Sequence, residues 1–414
     1  MARAETGTAH EEGTKRYREK RDRIVDAACE LINETGALGM TLSDVARRVG
    51  LNTTSVTYYF RRKDRLALAC YHAAIDRFEA FVTQAEKERG PRDAITAFIA
   101  AAFADLEAVR RGERAPIALL SEFRTLEGEA RAEATVRYQA LFRRIRATLG
   151  RCEGKDVATV RARMTARAFV LLETIFWLPF WIDRYDVFDF PRVQARMTDL
   201  LLWGIAAPGM HWARSPERVP MADIMEPSVI GQEQFLQAAT RLINEKGYRG
   251  ASVDRIASEI NVTKGSFYHH LDTKDDLVLA CFSRSFETIT QAQVDVSGIR
   301  HWHRLCASID HLLRLQFADG SPLLRSTALQ VLPQPVRESI VAQSNRLARR
   351  YAGMISDGIA DGSVRAVDPL IAAQNVLATV NAACDMRWWA ARLPMDDAVA
   401  FYGSTLAFGL MSDD

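Results

Sequence analysis

The chain has 414 residues, 48% of them hydrophobic and 26% charged, which is enough for two or more soluble domains, each with a core of its own. Its 54 basic and 52 acidic residues leave a formal net charge of +2, so no chain-wide field draws it to nucleic acid, and any such affinity rests on local patches. No glycine-rich phosphate loop, GxSxG elbow or HExxH occurs, so nothing in the sequence argues for an enzyme.

In chain order, residues 1–14 are rich in Ala, Glu, Gly and Thr without periodicity and are expected to be disordered. The opening 23 residues hold no apolar run of the kind a signal peptide needs, which points to the cytoplasm. Residues 15–23, KRYREKRDR, carry six cations and two anions and read either as a basic arm for a phosphate backbone or as a solvated helix start. Helix-period apolar patterns then cover 23–34, 41–49, 53–59, 63–87, 91–111, 115–127, 130–149, 155–178 and 192–205, with Pro91 near a helix start and Gly36, Gly50, Gly90 and Gly150 near helix ends. The longest apolar run, 168–182, is interrupted by Glu173, Thr174 and Pro179 and is too short to span a bilayer, so no membrane partner is expected. Between Pro208 and Pro227 four prolines fall in twenty residues, which cannot form one regular helix, and 208–228 reads as a linker. The helical plan resumes over 231–245, 252–260, 264–270, 274–294, 301–317, 321–332, 335–360, 369–391 and 395–410. The fold class is all-α.

The second half repeats the first. Residues 27–70 laid over 238–281, an offset of 211, give 16 identities in 44 without gaps, and LLWGI at 201–205 lies over LAFGL at 406–410 at an offset of 205. A period of this length with two copies means a duplicated domain pair, not a solenoid. Within each copy one stretch reads as two short helices crossing at a tight turn. In SVDRIASEINVTKGSFYHHLDTKDD (252–276), Ser252 caps a helix with apolar Val253, Ile256, Ala257 and Ile260, Asn261 ends it, and Thr263 caps a second helix that buries Phe267. TLSDVARRVGLNTTSVTYYFRRKDR (41–65) has the same layout, with Val56 and Phe60 as core positions.

Both copies resemble the N-terminal DNA-binding domain of the tetracycline-repressor (TetR) family of bacterial regulators. The likeness rests on the helix ending LINExG, the small-residue helix, the recognition segment with its aromatic end, and the Lys-Asp start of the next helix. The first copy departs by having Thr54 and Thr57 where Gly265 and Tyr268 stand. The resemblance implies helix-turn-helix domains at 15–65 and 229–276, each followed by a regulatory helical bundle, 66–207 and 277–414. It also implies double-stranded operator DNA and a small-molecule effector as partners, with no cofactor and no metal.

A helix-turn-helix reads base edges with the start of its second helix while flanking cations hold phosphates. The candidates at the groove are Thr53, Thr54, Ser55, Thr57 and Tyr58 in the first copy, with Arg47, Arg48, Arg62 and Lys63 at the backbone. In the second they are Thr263, Lys264, Gly265, Ser266, Tyr268 and His269, with Lys274 at a phosphate. For the effector the candidates are Phe123, Arg124, Phe176, Trp177, Trp181, Asn381 and Trp388, each with ordinary core packing as its alternative. The heads differ in charge: 41–65 carries six cations against two anions, net +4, and 252–276 three against five, net −2. Because the resemblance implies pairing through the last two helices of each copy, 155–178 and 192–205 are expected to meet 369–391 and 395–410 in an intramolecular pseudo-dimer, a homodimer being the alternative. A ligand-binding or interaction protein whose heads no longer bind DNA is the competing reading. The six cysteines, Cys29, Cys70, Cys152, Cys281, Cys306 and Cys384, lack CxxC spacing and read as reduced core residues, and the His301, His303 and His311 group as a solvated helix entrance, not a zinc site.

Overall fold

The computed structural model describes residues 5–150, 156–213, 227–251, 255–256, 258, 273–294, 300–318, 322–325, 328–329, 332 and 334–412. The described residues are helical throughout apart from turns, connecting segments and one isolated bridge, Ala206 with Val364. In order the helices are α1 (Glu5–Thr35), α2 (Leu42–Val49), α3 (Thr53–Tyr59), α4 (Lys63–Ala85), α5 (Pro91–Arg110), α6 (Gly128–Thr148), α7 (Val157–Trp177) and α8 (Phe190–Trp203). The second half adds α9 (Pro227–Gly250), α10 (Lys274–Val294), α11 (His301–Phe317), α12 (Gln334–Ala360), α13 (Pro369–Ala382), α14 (Arg387–Ala390) and α15 (Met395–Phe408). No described helix is long and apolar enough to cross a membrane.

The boundaries depart from the sequence expectation in three instructive places. The helix expected from residue 23 begins at Glu5, taking in most of the stretch expected to be disordered: 5–14 has no apolar face to betray it, yet Glu and Ala are good helix formers. The helix expected over 115–127 shrinks to a 3-10 turn, Leu120–Thr125. Pro116 cannot donate, and Asn33 grips the segment after it, donating to the Ile117 carbonyl at 2.7 Å and accepting from the Leu119 amide at 3.1 Å. The repeat preserves this clasp: Asn244 donates to the Leu323 carbonyl at 2.9 Å and accepts from the Arg325 amide at 3.0 Å, so 322–325 is not helical either. Finally, α7 stops at Trp177 because Pro179 follows, and the chain descends through the 3-10 turns Leu178–Phe180, Ile182–Arg184 and Val187–Asp189 before α8.

The chain divides into two compact units, residues 1–79 with 108–141, and residues 80–107 with 142–414. In the first unit α1, α2 and α3 pack around Ile24, Ala28, Ile32, Val45 and Val56, all but fully buried. Cys70 donates to the Val25 carbonyl, and in the other unit Cys281 donates to the Leu236 carbonyl, each partner being 211 positions from its counterpart. Burial pushes the Cys281 thiol up to about 11 and Cys306 to about 12, so both stay neutral and inert at ordinary pH. Cys29 and Cys70 are also buried, whereas Cys384 is half-buried.

The second unit is centred on α13, buried along nearly its whole length from Ile371 to Ala382. α13 packs on α12 and, together with α15, against α7 and α8 of the first half. At the ends of α8 and α15 the two halves exchange backbone bonds reciprocally. The Ala206 amide donates to the Ala407 carbonyl at 2.8 Å, and the Met411 amide donates to the Leu202 carbonyl at 3.2 Å; 206 and 411, like 202 and 407, are 205 positions apart. Gly204 and Gly409 sit at the crossing with φ 66°, ψ −161° and φ 82°, ψ 178°, a region essentially restricted to glycine. A Cβ on Gly204 would lie 2.2 Å from the Ala407 oxygen, and one on Gly409 would lie 2.3 Å from the Leu202 oxygen, the equivalent contact in the other half. Arg365 adds bonds to the Gly204 carbonyl at 2.6 Å and to the Asp199 carboxylate at 2.7 Å.

The first residues of the expected linker are not free chain. The Trp302 indole donates to the His211 carbonyl at 2.8 Å, the Trp212 indole donates to the buried Asp310 carboxylate at 3.4 Å, and Gly403 leaves the room that the Trp212 ring fills.

Candidate functional site

The first helix-turn-helix is capped at each end of its turn. Thr41 accepts from the Asp44 amide at 3.1 Å and donates to the Asp44 carboxylate at 2.6 Å; that hydroxyl, with Arg47 beyond it, holds the Asp44 carboxyl below its usual range. Gly50 closes α2 with φ 70°, and Asn52 caps α3 by accepting from the Ser55 amide at 2.7 Å. Val56 and Phe60 lock the pair from beneath, both buried as expected.

This leaves one face of α3 open. Thr53 and Thr54 are exposed, Ser55 half-buried, and the Thr57 hydroxyl is turned back to donate to the Thr54 carbonyl at 2.8 Å. Tyr58 is 72% exposed and is flanked by Tyr59 and Tyr17, their ring centroids 5.3 and 6.2 Å away; Tyr17 and Tyr59 are 4.8 Å apart. Tyr17 belongs to the basic stretch 15–23, which lies within the middle of α1 and is not an extended arm. The aromatic trio fixes that part of α1 against α3, and Arg21 lies over the Phe60 ring at 5.2 Å. Lys15, Arg16, Arg18 and Lys20 are all exposed on it. Sequence reading had no means to pair Tyr17 with residues some forty positions away.

The four flanking cations differ. Arg47 is 77% exposed and touches Asp44 at 3.0 Å. Arg48 is committed to α1: it forks onto the Glu34 carboxylate at 2.8 and 2.7 Å and reaches Glu30 at 3.3 Å, and the Glu34 bond raises its pKa. Arg62 forks onto Asp64 at 3.0 and 2.7 Å while remaining 73% exposed, and Lys63 donates to the Leu38 carbonyl at 2.8 Å. Arg47→Ala should therefore lower the salt slope of DNA binding by about 0.9, one phosphate contact, and Arg48→Ala should leave it unchanged. A mobility-shift titration across salt concentrations separates them; equal slopes for both variants would mean that Arg48 abandons its carboxylates on DNA.

In the second head Thr263, Lys264, Gly265, Ser266, Tyr268, His269 and Phe267 lie outside the described residues. Lys274 is described: its ammonium stands over the Tyr248 ring at 4.4 Å, and the Tyr248 hydroxyl donates to Asp275 at 2.5 Å. Thr273 caps α10 reciprocally, accepting from the Asp276 amide at 3.2 Å while its own amide donates to the Asp276 carboxylate at 2.9 Å.

A small open cavity, with about 40 Å³ of internal space, lies among the helices of the second unit. Of the seven effector candidates it brings together two, Trp177 and Asn381. The others lie elsewhere: Phe123 is buried beside Tyr138 at 5.2 Å, Trp181 is buried against Tyr185 at 5.9 Å, and Trp388 is 54% exposed under Arg392. Phe176 is half-buried and does not line the cavity; Arg124 lies in the 3-10 turn Leu120–Thr125, and its side chain lies outside the described residues. Sequence reading missed Gln374, 5% exposed, which accepts a bond from the Trp177 indole at 3.2 Å, and Arg184 at the cavity mouth, which donates to Asn345. No group of three or more His, Cys, Asp or Glu side chains that could hold a metal occurs among the described residues; Trp302, between His301 and His303, is 2% exposed in the core.

The family model described as bacterial regulatory proteins, tetR family, matches the chain twice, at residues 24–70 and 235–281. The transposon Tn10 TetC protein of Escherichia coli is 32% identical over 90 residues, 20% of this chain and 46% of that protein. The HTH-type transcriptional regulator BetI of Burkholderia ambifaria is 33% identical over 90 residues, 21% of this chain and 46% of its own. The chain thus spans about half the length of these curated relatives. Among solved structures, PfmR of Thermus thermophilus, a TetR family transcriptional regulator, is 22% identical with a TM-score of 0.34, covering 43% of this chain and 98% of PfmR. Apo AibR is 24% identical with a TM-score of 0.35, covering 42% and 96%. The two matched segments are the two helix-turn-helix copies, so each half of the chain carries one segment that matches the bacterial regulatory proteins of the tetR family.

Proposed function

We propose that the protein is a DNA-binding transcription regulator, acting as a repressor, whose two heads read one operator as a covalent pseudo-dimer until a small effector among the regulatory helices releases them. The observation that carries this reading is the reciprocal exchange at Gly204 and Gly409. An interface in which residue i meets j and the counterpart of j meets the counterpart of i is the signature of two-fold association, and here both sides belong to one chain. Helix-turn-helix proteins present paired heads to half-sites about one helical turn or a multiple of it apart, and an effector acts by favouring an arrangement that no longer fits that spacing. The repressor role is supported by the family and by the open face of α3, and the effector by the aromatic cavity of the second unit.

Sedimentation of the full chain, alone and on DNA carrying its own promoter, tests the reading. The expected result is a monomer in solution at micromolar concentration and one chain on each operator. A stable dimer joined through α7, α8, α13 and α15, or no shift of the promoter fragment, overturns it.

A further inference from the structure

The cavity of the second unit is built unsymmetrically, and its chemistry specifies a ligand. Along α13, Gln374 and Asn381 are two turns apart and line the same space. At the matching positions of the first half, 205 earlier, stand Phe169 and Phe176. The match is secured by LLET at 171–174 over VLAT at 376–379, whose threonines Thr174 and Thr379 are both fully buried. One half therefore has amides where the other has rings.

The Gln374 carboxamide can be oriented without ambiguity. An indole N–H only donates, so the oxygen of Gln374 must face Trp177, and the two hydrogens of its Nε2 remain for another partner. Among the described residues that nitrogen has no recorded acceptor, although the residue is more than nine-tenths buried. Gln374 lines the cavity, so a group bound there can accept from that nitrogen. The walls there are apolar and aromatic, with Trp177 and Phe180 stacked at 5.0 Å on one side and Phe282, Phe286 and Leu377 among the residues on the other. Arg184 at the mouth is the one charged side chain among the described lining residues. Its recorded partner is the neutral Asn345, and Arg349 adds a second positive charge near it.

From this we infer that the cavity binds a small apolar carboxylic acid, aromatic or acyl, whose carboxylate accepts from Arg184 and from the Gln374 Nε2, with one ligand per chain. Apolar walls take the body, no carboxylate side chain stands among the described lining residues, and Arg184 and Gln374 both line the space with donors that an anion would accept from. The inference rests on the regulator reading, because it names the class of effector.

Isothermal titration of the full chain without DNA, using phenylacetate, 4-phenylbutanoate and octanoate against their primary amides, tests it. The expected result is one site per chain with an acid preferred over its amide by about tenfold or more, the worth of a charge-assisted hydrogen bond. Arg184→Gln should erase that preference, and Asn381→Phe, which installs the first half's residue, should abolish binding while circular dichroism and the melting temperature show a folded chain. Equal affinity for acid and amide, an acid preference that survives Arg184→Gln, two sites per chain, or no heat from any acid at millimolar concentration overturns the inference. A mobility shift on promoter DNA without ligand keeps the two readings apart: DNA binding with no acid binding sinks this inference alone, and acid binding with no DNA binding sinks the regulator reading alone.

Discussion

Alanine at Gly204 should destabilise the chain by about 3 kcal/mol or more, and alanine at Gly409 should do so equally, because the two glycines make equivalent contacts related by the repeat. Their backbone conformation is one that L side chains scarcely adopt, which costs of order 1–3 kcal/mol. On top of this the new Cβ meets a carbonyl oxygen at 2.2 or 2.3 Å, and backbone cannot rotate out of the way as a side-chain tip can. Gly362→Ala is the control: φ is 78° there, yet nothing lies within 4 Å of the added carbon, so only the conformational strain applies. Urea unfolding of the three variants checks the expectation. A Gly409 variant as mild as the Gly362 variant would show that the crossing at α15 is loose and the exchange not mutual in solution.

Alanine in place of Lys15, Arg16, Arg18 and Lys20 should lower the salt slope of promoter binding by up to about 3.6, at about 0.9 for each phosphate left without its cation. The loss in affinity at low salt follows directly. These side chains are exposed on the part of α1 that Tyr17 fastens to Tyr58 and Tyr59, so they are presented from a rigid helix beside α3. Removing Lys264 and Lys274 from the second head should change the slope less. That head carries net charge −2 over 252–276, and the fourteen residues before Phe235 bear only acidic charge. An equal change in both variants would mean that the two heads share the electrostatic work, and that the acidic residues of the second point away from DNA.

Much of this architecture is legible in the sequence, because helix caps and buried apolar positions are local. Thr41, Gly50, Val56 and Phe60 each act where their residue type and spacing put them, and the 211-residue repeat announces both tetR domains. Non-local geometry is what escapes. No periodicity reveals that Asn33 pins the chain after Pro116, that Arg48 turns back to Glu34, or that Trp212 leaves the linker to reach Asp310. The aromatic count misleads for the same reason: the first half is richer in rings, yet Phe123 and Trp181 are packed solid, and the cavity opens where the second half exchanges rings for Gln374 and Asn381. That exchange was visible in the repeat alignment, but its meaning depends on Trp177 arriving from the other half.

The crossing at Gly204 and Gly409 joins two stretches of one polypeptide, so its closure does not depend on how many copies a cell contains. A regulator assembled from separate subunits loses its paired heads on dilution, and occupancy of its target then falls with the square of its concentration. Tethered halves meet at an effective concentration in the millimolar range when the connecting chain is short and flexible, far above the abundance of a scarce regulator. If the chain acts as the proposed pseudo-dimer, occupancy of its target should therefore fall only in proportion to the amount of protein.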